Sequence, residues 1–196
     1  YTGSSKTQIY LNEDGILNVN NLQPRMANVY GGHLSFVDYN NDGFLDISMS
    51  GLATVNFSTF TALLLYKWEN GTYVLDDDEN QLSITDGYWG GQYNHDWADY
   101  DNDGDLDLVS GGISIFDNTN YLTIFKNNNG ILKRDTIQTD LIPLFPCALT
   151  WIDINGDNYT DLLTLGRLEL NGVSHIYINN GMGKLIKSSD EPFEIP

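Results

Sequence analysis

The stretch that decides the fold reads Trp97-Ala-Asp-Tyr-Asp-Asn-Asp-Gly-Asp-Leu-Asp-Leu-Val-Ser-Gly-Gly112, an acidic loop that runs into an apolar segment. Two further copies of this pattern occupy residues 36–51 and 151–166, at separations of 61 and 54 residues. Self-similarity at a period of this length indicates that one supersecondary unit is repeated along the chain. The fold should therefore be built from stacked copies of that unit.

A second element alternates with the acidic loop. It is an apolar or aromatic run that ends in Asp-Gly, Asn-Gly or a close relative, at residues 8–15, 64–71, 123–130 and 175–181. Such a run predicts a β-hairpin. A two-residue hairpin turn requires positive φ at both residues, and Asn, Asp and Gly tolerate that conformation. No window shows a sustained apolar period of 3.6 residues, so no helix is predicted.

One unit thus reads strand, acidic loop, strand, connection, strand, turn, strand. Four antiparallel strands that recur in this way predict an all-β fold of β-propeller blades. A sandwich of short strands is the alternative, but it does not explain why the loop recurs at one place in each unit. The expected divisions are residues 1–32 as the end of a preceding blade, and 33–93, 94–147 and 148–196 as blades.

These pieces make about three and a half blades, whereas propellers usually close with about four to eight. We therefore expect a partial propeller or part of a larger ring. The remaining blades of a longer chain, or a second copy of this one, would complete it.

The acidic loops have the composition of calcium sites. Each places side-chain oxygens at positions 1, 3, 5 and 9, and position 7 would offer its backbone carbonyl, as in the EF-hand loop. Ligands that are all oxygen, several of them carboxylates, select a hard cation such as Ca²⁺. The three predicted sets are Asp38, Asn40, Asp42, Phe44 and Asp46; Asp99, Asp101, Asp103, Asp105 and Asp107; and Asp153, Asn155, Asp157, Tyr159 and Asp161.

An EF-hand is excluded because position 12 is Met49, Ser110 or Thr164 instead of the bidentate Glu. Asp-rich turns without metal are the alternative, and three complete ligand sets in register argue against it. The loops hold 11 of the 27 acidic residues, whose repulsion a cation would relieve. We expect the second loop, richest in Asp, to bind tightest. The third should bind most weakly, because its glycine stands at position 4 instead of position 6.

The charge and hydrophobicity of the chain limit the classes of molecule that it is expected to bind. Acidic residues outnumber basic ones by 27 to 9, which gives a formal net charge of −18. Nucleic acids and anionic membrane surfaces need clusters of Lys and Arg that this chain lacks. No segment has the roughly 18 consecutive apolar residues of a membrane helix. We expect a protein or glycan ligand at a surface, no nucleic acid and no membrane insertion.

The loop pattern Asp-x-[Asp/Asn]-x-Asp-Gly-x-x-Asp, with an aromatic residue two positions earlier and a β-run into Gly, resembles the FG-GAP/VCBS repeats. That resemblance implies an integrin-α-like propeller with calcium held between two strands of a blade. Tyr30-Gly-Gly32 and Trp89-Gly-Gly91 are loose counterparts of the Phe-Gly element. The chain is more similar to the bacterial VCBS-type repeats than to integrin. A secreted or cell-surface binding, adhesion or scaffolding module is the expected function.

Residues 87–97 are the most unusual segment outside the loops. Aromatic faces beside amides and histidine are typical of sugar-binding surfaces, so Tyr88, Trp89, Tyr93 and His95 are candidate ligand-binding residues. A lectin-like propeller is therefore the second hypothesis. Packing between blades is the alternative, and it is favoured for Trp97, which is equivalent to the expected core residues Phe36 and Trp151.

Catalysis has little support in the sequence. His33, His95 and His175 are far apart, and none lies in a recognisable metal or nucleophile motif. The chain is therefore expected not to be an enzyme. The propeller part of a polysaccharide-active enzyme is the third hypothesis.

Overall fold

The computed structural model describes residues 6–20, 26–55, 58–76, 94–113, 119–145, 148–168 and 171–189 of the chain. Within these ranges all regular structure is β-strand, in agreement with the predicted all-β class. No helix in this part of the chain could cross a membrane. The strands are β1 Tyr10–Glu13, β2 Ile16–Val19, β3 Val29–Val37, β4 Asp46–Val55, β5 Ser58–Glu69, β6 Thr72–Leu75, β7 Asn94–Ala98, β8 Asp107–Ile113, β9 Asn120–Asn128, β10 Ile131–Arg134, β11 Ala148–Ile152, β12 Asp161–Leu168, β13 Asn171–Asn179 and β14 Leu185–Lys187.

The strands form three four-stranded antiparallel sheets and one two-stranded sheet. Each larger sheet pairs strands in sequence order, β3-β4-β5-β6, β7-β8-β9-β10 and β11-β12-β13-β14. We call them the first, second and third blades, and call β1-β2 the half blade. The prediction of about three and a half propeller blades is confirmed, and the described residues do not close a ring.

Apolar residues alternate along the strands, so each blade offers one face to each neighbour. In β5, Leu63 and Leu65 pack towards the second blade, whereas Leu64 and Tyr66 pack towards the half blade. The cores consequently lie between blades. The cluster between the second and third blades comprises Tyr100, Val109, Leu122, Ile124, Leu149, Trp151, Leu162, Tyr177 and Leu185.

An aromatic pair joins each complete blade to the next. Trp151 in β11 stacks on Tyr100 of the second blade, with ring centroids 5.4 Å apart and an interplanar angle of 8°. The ring centroids of Trp97 in β7 and Tyr39 of the first blade lie 6.2 Å apart. Each tyrosine occupies position 2 of an acidic loop, so the loop of one blade also anchors the first strand of the following blade.

The expectation that Phe36 lies in the core is wrong. This residue is equivalent to Trp97 and Trp151 in sequence, and we expected it in the core, but it is 57% exposed. The half blade that precedes it consists of β1 and β2 alone. Among the described residues, that half blade offers Phe36 no counterpart of Tyr39 or Tyr100. A core position in this repeat is therefore completed by the neighbouring blade.

Candidate metal centre

Each acidic loop connects the first and second strands of its blade, and two of its residues adopt left-handed backbone. In the second loop these are Asn102 with φ 59° and Gly104 with φ 98°, at positions 4 and 6. The first loop repeats them as Asn41 and Gly43. The third loop reverses the order, with Gly156 at 78° and Asn158 at 68°.

Asn and Gly are the residues that tolerate this conformation best. The glycine shift in the third loop therefore exchanges two tolerant residues and keeps the turn. The backbone of the third turn is thus like that of the other two, and the weaker binding of the third loop stays a prediction.

The aspartate at position 1 organises each turn. In the second loop both oxygens of Asp99 accept backbone N–H groups, Oδ1 from Asp103 and Oδ2 from Gly104, each at 3.0 Å. Asp38 and Asp153 accept from the same two positions of their own loops, at 2.9–3.2 Å. The bond from Asn158 is the main cause that lowers the pKa of Asp153. In each loop, therefore, one carboxylate holds the turn together by accepting two backbone N–H groups.

The aspartate at position 9 begins the second strand of each blade and is completely buried, as Asp46, Asp107 and Asp161. One oxygen of each accepts a backbone N–H from the third strand, at 2.7–2.8 Å. Burial raises the pKa of Asp46 to about 6 and that of Asp107 to about 7. A bound cation would reverse this shift, because it favours the ionised carboxylate.

The second loop brings three predicted ligands together. Oxygen atoms of Asp99, Asp101 and Asp107 lie within 4.8 Å of one another. Asp101 Oδ1 is buried and has no hydrogen-bond partner among the described residues. An all-carboxylate group with a buried free oxygen fits a hard cation such as Ca²⁺.

The other two predicted ligands of the second loop are placed differently. Asp103 lies outside the group of three, and its Oδ1 accepts the N–H of Asp105 at 3.0 Å. The side chain of Asp105 bonds to Asn41 of the first loop and to the N–H of Asn129. Its backbone carbonyl, which was the predicted ligand atom, is not used by these bonds.

The first and third loops have Asn at position 3. The amides of Asn40 and Asn155 donate to Asp42 and Asp157, at 3.1 and 2.9 Å. Each of these loops therefore has one carboxylate fewer at position 3 than the second loop. The side chains at their position 7, Phe44 and Tyr159, are 56% and 37% exposed. The second loop is the best-formed carboxylate site in the described part of the chain.

Contacts between blades support the loops, and sequence reasoning missed them. Asn127 Nδ2 in the second blade donates to Tyr39 O, which lies inside the first loop, at 2.7 Å. Asn179 in the third blade donates to Tyr100 O in the second loop, also at 2.7 Å. The sequence signal was an Asn before the hairpin turn of the second and third blades, where the first blade has Trp68. We call this contact the hairpin clasp.

His95, a candidate ligand-binding residue, lies in a buried polar cluster at the contact of the first and second blades. It is 1% exposed, and its ring nitrogens bond to the hydroxyls of Ser35, Ser48 and Ser50 at 2.7–2.9 Å. Burial lowers its pKa to about 3, and the neighbouring His33 contributes to the shift. The other candidates, Tyr88, Trp89 and Tyr93, lie outside the described residues.

Comparison with known families identifies the repeat. Residues 99–164 match the FG-GAP-like repeat family. The match begins at position 1 of the second loop, includes the whole third loop and ends in β12. A comparison with curated proteins finds no match.

Proposed function

Because residues 99–164 match the FG-GAP-like repeat family, we propose that the chain is a calcium-stabilised β-propeller module that binds a partner and carries out no catalysis. The single observation that carries the calcium proposal is the group of Asp99, Asp101 and Asp107, with the buried free oxygen of Asp101. The repeat family supports it further, since such repeats typically bind calcium. Three structural Ca²⁺ ions, one in each loop, are proposed.

Calorimetric titration of chelator-treated protein tests the metal proposal. Calcium should bind with a stoichiometry of three, and magnesium should bind more weakly, because Mg²⁺ demands a smaller octahedral site. Asp107→Asn should remove one calcium site, whereas Asp140→Asn, an exposed acid outside the loops, should leave all three. Absence of calcium binding to the wild-type protein would overturn the proposal.

We further propose that more blades of the same kind complete this arc. On the face of the first blade towards the half blade, Leu34 and Phe36 are 46% and 57% exposed. At the other end, Ile154 occupies the loop position of Tyr39 and Tyr100 and is 40% exposed. The positions of Phe36 and Ile154 are ones that a neighbouring blade covers elsewhere in the chain, as the Tyr100–Trp151 pair shows. The missing blades come from a longer chain or from a second copy.

Sedimentation and footprinting separate these sources. A particle of twice the 22.0 kDa chain mass would indicate a second copy. A monomer would exclude the second copy and leave further blades of a longer polypeptide as the proposed source. Hydroxyl-radical labelling of the intact protein should then protect Phe36 as well as it protects Trp151. Strong labelling of Phe36 in the intact protein would contradict ring completion.

An extracellular location is proposed because of the proposed calcium sites. Calcium sites of the extracellular class bind at about 10⁻⁴–10⁻³ M and stay filled at the millimolar concentrations outside cells. The partner is proposed to be a protein or a glycan. The carbohydrate-binding alternative depends on Tyr88, Trp89 and Tyr93, outside the described residues, and a glycan array tests it. The absence of catalysis is tested by assaying the chain for polysaccharide cleavage.

A further inference from the structure

We infer that Lys126 sets the calcium affinity of the second loop: it competes with the cation for Asp101 and holds the loop together when calcium is absent. This inference rests on the proposed calcium function. Lys126 lies in β9, and its Nζ donates to Asp101 Oδ2 at 2.7 Å. The Asp101 side chain is 15% exposed and that of Lys126 is 36% exposed.

The two oxygens of Asp101 have different surroundings. Oδ2 accepts the bond from Lys126, whereas Oδ1 is buried, without a hydrogen-bond partner among the described residues. Asp101 also belongs to the group that includes Asp99 and Asp107. The carboxylate of Asp101 therefore binds the ammonium group through Oδ2 and is available to a metal ion through Oδ1.

The pair is also enclosed by the third blade. A Cβ built on Gly183, in the turn between β13 and β14, would lie 3.3 Å from Asp101 Cβ and 3.7 Å from Lys126 Nζ. Lys126 Nζ lies 5.5 Å from the centroid of the Tyr100 ring. These neighbours limit where the ammonium group can go, so a cation bound to Asp101 must coexist with it or displace it.

Coexistence weakens calcium binding. An ammonium ion and a divalent cation that share one carboxylate repel each other, and across a water-like dielectric at about 5 Å this lowers affinity roughly tenfold. Without calcium the same charge is stabilising, because it offsets the repulsion among the clustered acids. Lys126 thus lowers the calcium affinity of the second loop and stabilises this loop when calcium is absent.

This arrangement is particular to the second loop. The equivalent residue in the first blade is Lys67, whose ammonium group lies 3.4 Å from Glu69 and 4.0 Å from Asp76. The first loop has the neutral Asn40 where the second has Asp101. In the third blade the equivalent residue is Ile178. Lys67 therefore provides a matched control for a lysine at the same strand position.

The test compares Lys126→Met with Lys67→Met, by calorimetric titration with calcium and by thermal melting in chelator. Lys126→Met should bind calcium at one site about tenfold more tightly, keep the same stoichiometry and melt at a lower temperature in chelator. Lys67→Met should keep the wild-type calcium affinities. Lys126→Arg, which retains the charge, should also keep them. Lys126→Gln, which retains a donor for Asp101, provides the comparison if the methionine variant does not fold.

Unchanged or weaker binding in both neutral variants of Lys126 would overturn the inference while leaving the calcium function intact. An unchanged melting temperature in chelator would also overturn it, because the lysine would then not stabilise the metal-free loop. Absence of calcium binding to the wild-type protein would overturn the proposed function and this inference together.

Discussion

Asn127 provides a quantitative test of how one blade supports the acidic loop of another. Its side chain is 2% exposed and makes three hydrogen bonds. Nδ2 donates to Tyr39 O at 2.7 Å and to Leu106 O at 2.9 Å, and Oδ1 accepts the N–H of Gly130 at 2.9 Å. Replacing Asn127 with Ala leaves two carbonyls and one amide without these partners.

The expected loss follows from those groups. A buried polar group left unpaired costs about 1–3 kcal/mol, and a typical hydrogen bond contributes about 1 kcal/mol. Asn127→Ala should therefore lower the free energy of unfolding by roughly 3–5 kcal/mol. Asn12 in the half blade is the control, because it accepts the N–H of Gly15 at 2.9 Å in an exposed turn. Asn12→Ala should cost about 1 kcal/mol or less.

Urea denaturation in saturating calcium measures both variants. With a slope of about 2–3 kcal/mol per molar urea, the midpoint for Asn127→Ala should fall by about 1–2 M, and that for Asn12→Ala by less than about 0.5 M. Calcium affinity of one site should also fall in Asn127→Ala, because Tyr39 lies between the predicted ligands Asp38 and Asn40. Equal midpoints for the two variants would refute the hairpin clasp.

Three further predictions test the packing and the buried ionisable groups. In the isolated monomeric chain, Trp151→Ala should cost about 3–5 kcal/mol in urea denaturation, whereas Phe36→Ala should cost less than about 1 kcal/mol, because Trp151 is 8% exposed and Phe36 is 57% exposed. Similar costs in the monomer would contradict the different burial of these two positions. Calcium affinity of one site should fall about tenfold between pH 8 and pH 6, because protons compete for Asp107, whose pKa is raised to about 7; titrations that do not depend on pH would contradict this. The folded protein keeps His95 neutral with a pKa of about 3, so its contribution is complete above the unfolded pKa of about 6.5 and is lost as the pH falls. Wild type should accordingly lose about 2 kcal/mol more than His95→Gln between pH 8 and pH 5, and equal losses would exclude this role.

Local signals in the sequence predicted the blades well because hairpin turns have strict backbone demands. Asn70-Gly71 and Asn129-Gly130 each have positive φ at both residues, as their Asn-Gly sequence predicted. The turns of the acidic loops were likewise recognisable, since the spacing of their Asp and Asn residues and their two left-handed positions are encoded within nine residues. Repetition of both signals predicted the number of blades.

Contacts between blades could not be predicted in the same way. Asn127 and Tyr39 are 88 residues apart in sequence, and Asn179 and Tyr100 are 79 apart. The similar sequences of residues 36–51, 97–112 and 151–166 gave no sign that Phe36 would be exposed, because its burial depends on a neighbouring blade. The bond of Lys126 to Asp101 joins residues 25 apart, and a lysine at the equivalent position of the first blade makes other contacts. Such partners are determined by how the blades stack.

Thermal melting of the chain, first in millimolar calcium and then in excess chelator, tests the central claim most directly. If each of three sites binds with a dissociation constant near 0.1 mM, 1 mM calcium stabilises the fold by about 4 kcal/mol in total. For a chain of this size that corresponds to roughly 8–16 °C. We predict a loss of this order on chelation, which calcium restores and magnesium does not. A melting temperature that is the same in calcium and in chelator would mean that the three loops are turns without a structural metal.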